Sequence, residues 1–253
     1  MIARFKMAGL HLLGSILVVG LFLSVVYFIW YPYPYYVFHS TISATKLVVI
    51  VDLVLGPLLT FVVFNTVKPV KELKRDLAII ICVQISALLW GMHITHSVRP
   101  LFAVYFDGEV HSVTAVSFDE SGFDKSLQVP GIFERPRLVY IEPMENDKYR
   151  ASILSQLKGK EIGIVLQTKR YKDISAYKQD MVFRSLNESQ LKSKVLVNEK
   201  LQAFLSSKAI SLADILLYPV YAGPYRGIVI VDKDSMRIID VLDAYIPNIS
   251  EYH

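Results

Sequence analysis

The chain has one cysteine, Cys82, among its 253 residues. A single thiol excludes an internal disulfide and any zinc or iron–sulfur site built from several cysteines. Charge is scarce over residues 1–96, where Arg4, Lys6, Lys46, Lys68, Lys71, Lys74 and Arg75 stand against Asp52, Glu72 and Asp76. The remaining residues balance acid against base, so the formal net charge of +4 belongs to the N-terminal part. A polar half with no net positive field excludes a basic nucleic-acid-binding domain. Catalytic signatures are missing as well. There is no G-x-S-x-G, no H-E-x-x-H and no glycine-rich phosphate loop. His111 is the only histidine between Arg99 and His253. Apolar residues are not scarce: they make up 53% of the chain, which excludes intrinsic disorder.

Three runs are long and apolar enough to cross a bilayer, which takes about 20 residues. They cover about 12–30, 47–67 and 77–95. The first is longer than the apolar region of a cleavable signal peptide, and no small-x-small site precedes Trp30-Tyr31-Pro32. It is read as an anchor. Basic residues favour the cytoplasmic side of short loops. Arg4, Lys6, Lys68, Lys71, Lys74 and Arg75 against Lys46 put the N-terminus and the 68–76 loop in the cytoplasm. Residues 31–46 and everything after the third span then lie outside. Trp30, Trp90 and the Tyr31–Tyr36 run read as an interfacial aromatic belt.

Polar residues inside the spans carry the most information, because hydrocarbon penalises them. Asp52 lies inside the second span, with Lys46, His93, His96 or Arg99 as possible partners. Thr60 and Gln84 fall at matching depth from the cytoplasmic side and are expected to hydrogen-bond across helices. Gly56-Pro57, one turn beyond Asp52, frees a backbone carbonyl and permits close approach or a kink. Asp52 is either a packing ion with a local cation or a contact for a partner protein. His93 and His96, with His39 nearby, share a possible metal face, but no carboxylate or cysteine completes a ligand set. No metal or cofactor is expected. Cys82 reads as a small buried apolar residue.

Residues 97–253 form one domain of ordinary size, giving an N-terminal three-helix anchor over 1–96 and an extracytoplasmic domain after it. Asp107-Gly108 between apolar runs predicts a hairpin. Strands are expected at 138–141, 162–166, 215–221, 227–231 and 237–242. Helices are expected at 146–158, capped by Asn146 and stopped by Gly159, and at 187–207. Residues 117–136 read as a long loop, in which Asp119, Glu120 and Asp124 are solvated. Asp232 and Asp234 fit a turn better than a hydrolytic carboxylate pair. The fold class is thus a membrane protein: three transmembrane helices followed by an α+β domain with an antiparallel sheet.

The chain resembles the TfpX/TfpZ-type family of type IV pilin accessory proteins. The resemblance rests on Trp30-Tyr31-Pro32, the stretch Val51-Asp52-Leu53-Val54-Leu55-Gly56-Pro57-Leu58-Leu59-Thr60, Lys68, Asp76-Leu77-Ala78-Ile79-Ile80, Gln84, Gly91 and Arg99-Pro100. It is dense over about 30–105 and looser afterwards. It implies a non-catalytic inner-membrane factor of a pilus-bearing Gram-negative bacterium. Such a factor would bind a cognate type IV pilin and modulate pilus assembly or surface pilus number. On this reading Asp52, Gly56, Pro57, Thr60 and Gln84 are the intramembrane pilin-contact candidates. The alternatives are a membrane enzyme modifying pilin, for which Asp52, His96 and Arg99 are the only charged cluster, and an extracytoplasmic ligand-binding sensor, weakened because only short basic segments face inward.

Overall fold

The computed structural model describes residues 1–38, 41–120, 129–142, 162–187, 190–191 and 195–243. It divides into two compact units, Met1–Trp30 with Ser40–Val98, and Tyr31–His39 with Arg99–His253.

The first unit holds three helices long and apolar enough to cross a membrane: Ile2–Trp30, Thr45–Val63 and Val70–Ser97. Only 22%, 28% and 11% of their apolar windows are buried, so most of each surface requires a lipid environment. Leu10, Leu13, Leu17, Leu47, Val54, Ile81 and Ile85 are among the exposed apolar side chains. Cys82 is exposed among them, contrary to expectation, because its helix turns that face away from its neighbours. The first helix ends in a π-helical turn, Val26–Trp30. The second contains another, Val51–Leu55, between the α-helical segments Thr41–Ile50 and Gly56–Val63. Phe64 turns extended to end it, and Pro69, itself outside helical geometry, opens the third helix at Val70. The charged segment 70–76 is therefore helix rather than loop.

The second unit is built on a seven-stranded sheet in the order β4-β3-β1-β2-β5-β6-β7. The strands are β1 Pro100–Phe106, β2 Glu109–Thr114, β3 Arg137–Ile141, β4 Tyr171–Asp173, β5 Ile215–Ala222, β6 Tyr225–Asp232 and β7 Ile238–Leu242. The expected hairpin joins β1 to β2, with Asp107 at φ 51° and Gly108 at φ 86°, the left-handed geometry its tight turn needs. The hairpins β5–β6 and β6–β7 also fall where expected. The sheet is mixed rather than wholly antiparallel. β3 returns beside β1 and runs parallel to it, and β5 joins β2 in parallel. Residues 162–165 form a helical turn instead of a strand. Their apolar run is too short for periodicity to separate the two, and Ile164 and Val165 pack on one sheet face. Ala115–Glu120 is a short helix, although Ala115 and Val116 were expected to end the hairpin's second strand, read as 109–116, and the rest to be loop. The predicted 187–207 helix is described over Val195–Lys208. The predicted helix at 146–158, His39 and Asp124 lie outside the described residues.

Alternating strand side chains feed both faces of the sheet. Ala103, Tyr105, Tyr140, Tyr218 and Val229 pack on one face with Met181 from the helix Lys178–Arg184. Leu217, Ile228 and Ile230 meet Leu201 and Phe204 on the other. Tyr35, expected in an interfacial belt, is buried in the first of these clusters. Segment 31–39 thus belongs to the sheet unit, and Trp30 is buried in the helical one, where its ring meets His96 edge-on.

Candidate functional site: a polar cleft in the helical unit

Asp52 sits in the π-helical turn and is 5% exposed. In this turn the Gly56 N–H donates to the Val51 carbonyl, five residues back. The next residue, Pro57, has no N–H to offer the Asp52 carbonyl. Gln84 from the third helix takes its place. Its Nε2 lies 3.5 Å from the Asp52 backbone oxygen and 3.3 Å from the Asp52 Oδ1. The close approach depends on Gly56, because a methyl group at that position would overlap the Gln84 amide. A π turn, a proline, a glycine and a glutamine thus make one device: the turn exposes a carbonyl and the neighbouring helix satisfies it.

The pairing differs from the expected one. Gln84 meets Asp52 and Gly56, and Thr60 instead hydrogen-bonds His11 Nδ1 at 2.6 Å. The reason is the third helix's start. Residues 70–76 add about 10 Å of helix at 1.5 Å per residue before the apolar run begins, which carries Gln84 past Thr60 to the level of Asp52. Asp52 is hydrogen-bonded by Gln84 and not by any of the four cations expected. Lys46 is exposed, His93 is exposed with its ring against Trp90, and His96 packs on Trp30. Arg99 belongs to the sheet unit, where it donates to the Pro130 carbonyl. Gly56 and Pro57 are buried inside the bundle.

The first and third helices both pack against the second. Between them lies a partly open cleft of about 370 Å³, lined by Met7 to Val19 of the first helix, Leu77 to Leu88 of the third, and Asp52 and Thr60 on its floor. Its walls are almost wholly apolar, with His11, Ser15, Asp52, Thr60 and Gln84 as the polar exceptions. Asp52 Oδ2 and Gln84 Oε1 are buried without a hydrogen-bond partner. His11 escapes sequence reasoning because it precedes the charge-free run at Leu12. Its spacing of three and four from Gly14 and Ser15, which puts all three on one helix face, was the available signal. Among the described residues no group of three or more histidine, cysteine or carboxylate side chains is placed to hold a metal.

The sheet unit has its own polar cluster. The Tyr140 hydroxyl donates to Asp180 at 2.8 Å, and Arg184 bridges Asp180 at 3.1 Å and Asp107 at 2.5 Å. Burial, then Asp180, pushes the Tyr140 hydroxyl above the usual tyrosine range. The Tyr177 hydroxyl donates to Glu142, and its ring stacks on Tyr140 with centroids 4.1 Å apart. This cluster ties the β1–β2 turn to the helix beneath the sheet and is structural in character.

A family model described as fimbrial assembly protein FimB matches residues 1–38. Three fimbrial assembly proteins of Dichelobacter nodosus are similar to the chain. That of serogroups C1 and C2 is 35% identical over 112 residues, which are 44% of this chain and 83% of the relative. That of serogroup I is 36% identical over 100 residues, 40% of this chain and 39% of the relative. That of serogroup E1 is 34% identical over 112 residues, 44% of this chain and 42% of the relative. The chain therefore spans about two fifths of the length of the last two. No solved structure matches.

Proposed function

Because the chain belongs to the fimbrial assembly protein family, we propose that it is a non-catalytic inner-membrane accessory factor of the TfpX/TfpZ type, which binds a cognate type IV pilin and modulates pilus assembly or surface pilus number. The observation that carries this reading is the match to 83% of a relative named for fimbrial assembly. The helical unit adds physical support: a protein that waits in the membrane needs a partner with an intramembrane contact face, and the cleft over Asp52, Thr60 and Gln84 would serve as one. The sheet unit would meet the part of pilin outside the bilayer and supply specificity. The positive-inside bias of Arg4, Lys6 and the 68–75 cluster supports a cytoplasmic N-terminus and a periplasmic sheet unit. A pilin-modifying enzyme would draw on Asp52, His96 and Arg99 as a cluster, yet each is engaged elsewhere, with Gln84, Trp30 and the Pro130 carbonyl.

In cells, a photoreactive amino acid at position 60 or 84 is expected to crosslink pilin, and one at exposed Phe183, far along the chain in the sheet unit, serves as a separate probe of head contacts. Pilin absent from every adduct overturns the reading.

A further inference from the structure

We propose that the turn at residues 131–134 of the sheet unit is a lipid-binding site: Ile132 and Phe133 insert into the headgroup layer of the bilayer, and Arg135 behind them meets lipid phosphate. The inference goes beyond the pilin reading and does not rest on it.

The turn is built to present these side chains. The Glu134 N–H donates to the Gly131 carbonyl at 3.1 Å, which closes a four-residue turn with Ile132 and Phe133 at its centre. The Glu134 carboxylate braces it, accepting from the Gly131 N–H at 3.3 Å and from Arg137 at 2.6 Å. Central turn positions favour Gly, Pro, Asn, Asp and Ser. Here they hold isoleucine and phenylalanine, 50% and 73% exposed. Val129, just before the turn, packs on the sheet core, so the apolar pair at the apex is turned outward from a segment that is otherwise anchored. Water is a poor solvent for such an apex, and a lipid interface is a good one.

Chain connectivity says what covers the apex. The third membrane helix ends at Ser97, and Arg99 follows two residues later, within about 7 Å even for extended backbone. Arg99 is 7% exposed. Its carbonyl accepts from the Ala115 N–H at 2.9 Å, and its guanidinium donates to the Pro130 carbonyl at 3.2 Å. Pro130 immediately precedes the turn. The turn is therefore held one side-chain length from the residue at which the chain leaves its last membrane helix. The charges agree with a lipid surface. Arg135 is exposed and makes no ion pair or hydrogen bond among the described residues. A cation behind an apolar apex suits the interface, where its stem lies along apolar surface and its head reaches phosphate. The one carboxylate of the turn is paired with Arg137, so it does not oppose an anionic headgroup.

The test uses the full chain in vesicles of phosphatidylethanolamine and phosphatidylglycerol. Cys82→Ala removes the native thiol, so that one introduced cysteine carries an environment-sensitive fluorophore. The label sits at Phe133→Cys or, for comparison, at Ser206→Cys on the exposed face of the helix Val195–Lys208. The label at 133 is expected to emit to the blue of that at 206, to be quenched by lipids bearing a nitroxide just below the headgroup, and to be shielded from aqueous iodide. Ile132→Ser should return the emission of the 133 label toward that of the 206 label. Arg135→Gln, or phosphatidylcholine in place of phosphatidylglycerol, should weaken the quenching by lipid. Each change replaces an exposed side chain, so circular dichroism should stay unchanged. Water-like emission and full iodide quenching at 133 overturn the proposal. So does blue emission without quenching by lipid, as a second copy of the chain covering the turn would give. Insertion indifferent to Ile132→Ser reports the fluorophore's own affinity and overturns it too, and quenching indifferent to Arg135→Gln overturns the phosphate contact. The vesicles hold no pilin, so failure here is distinct from failure of the crosslinks at positions 60 and 84.

Discussion

At the residue scale, the contact between Gly56 and Gln84 holds the second and third helices at one register. Gly56→Ala is expected to push the Gln84 amide aside and strip Asp52 of both hydrogen bonds, at a cost of about 1–2 kcal/mol. Gly14→Ala, whose added methyl group meets open space, should be neutral or slightly stabilising through helix propensity. Thermal unfolding of the detergent-solubilised chain compares the two directly, and equal melting shifts would contradict the packing described. Much of this site was legible beforehand. Asp52, Gly56, Pro57, Thr60 and Gln84 stand out as polar or helix-disturbing residues in apolar runs, and the freed carbonyl follows from the proline alone. Their pairing was not legible. It depends on where the third helix begins, and a charged stretch such as 70–76 reads as loop or as helix equally well from composition. The π turn is similarly invisible, because one extra residue per turn leaves no periodic trace in a uniformly apolar segment.

At the element scale, the hairpin β1–β2 shows how a short signal can suffice. Asp-Gly between alternating apolar residues specifies a turn with two positive φ values, and Asp107 and Gly108 adopt them. Gly108→Ala forces a side chain into that region and is expected to cost about 1 kcal/mol or more of sheet-unit stability. Because Asp107 also anchors Arg184, the loss should show as reduced protection of the Lys178–Arg184 helix in hydrogen exchange, not only of the hairpin. Protection confined to the wild-type level in that helix would break the proposed link. The parallel pairs β1–β3 and β2–β5 were beyond sequence reasoning, since strand order is decided by long-range packing rather than by local turns. Tyr35 belongs with them. An aromatic beside a membrane span looks like an interfacial anchor, and only tertiary context makes it core.

At the scale of the whole molecule, the sheet unit's buried tyrosines predict its response to alkali. Burial raises the hydroxyls of Tyr105, Tyr140, Tyr171 and Tyr218 above the ordinary value of 10.0, and it pushes Tyr225 up to about 12. The fold favours the neutral form, so this stability is complete below the unfolded value and is lost as pH rises past it toward the folded values. The melting temperature, followed by tyrosine absorbance, should therefore fall above a pH of about 10 and change little between roughly 7 and 9 from this source. A flat profile through pH 11 would contradict the burial of these rings.

The sheet unit is also assembled from two stretches of chain, Tyr31–His39 and Arg99–His253, with the second and third helices threaded between them. Tyr35 is made long before the strands that enclose it. During synthesis its pocket cannot exist until a helical pair has been laid into lipid and the remaining polypeptide has emerged. Membrane integration thereby becomes a checkpoint for folding of the sheet unit, and a fragment cut at residue 99 inherits a core with one of its aromatic plugs missing.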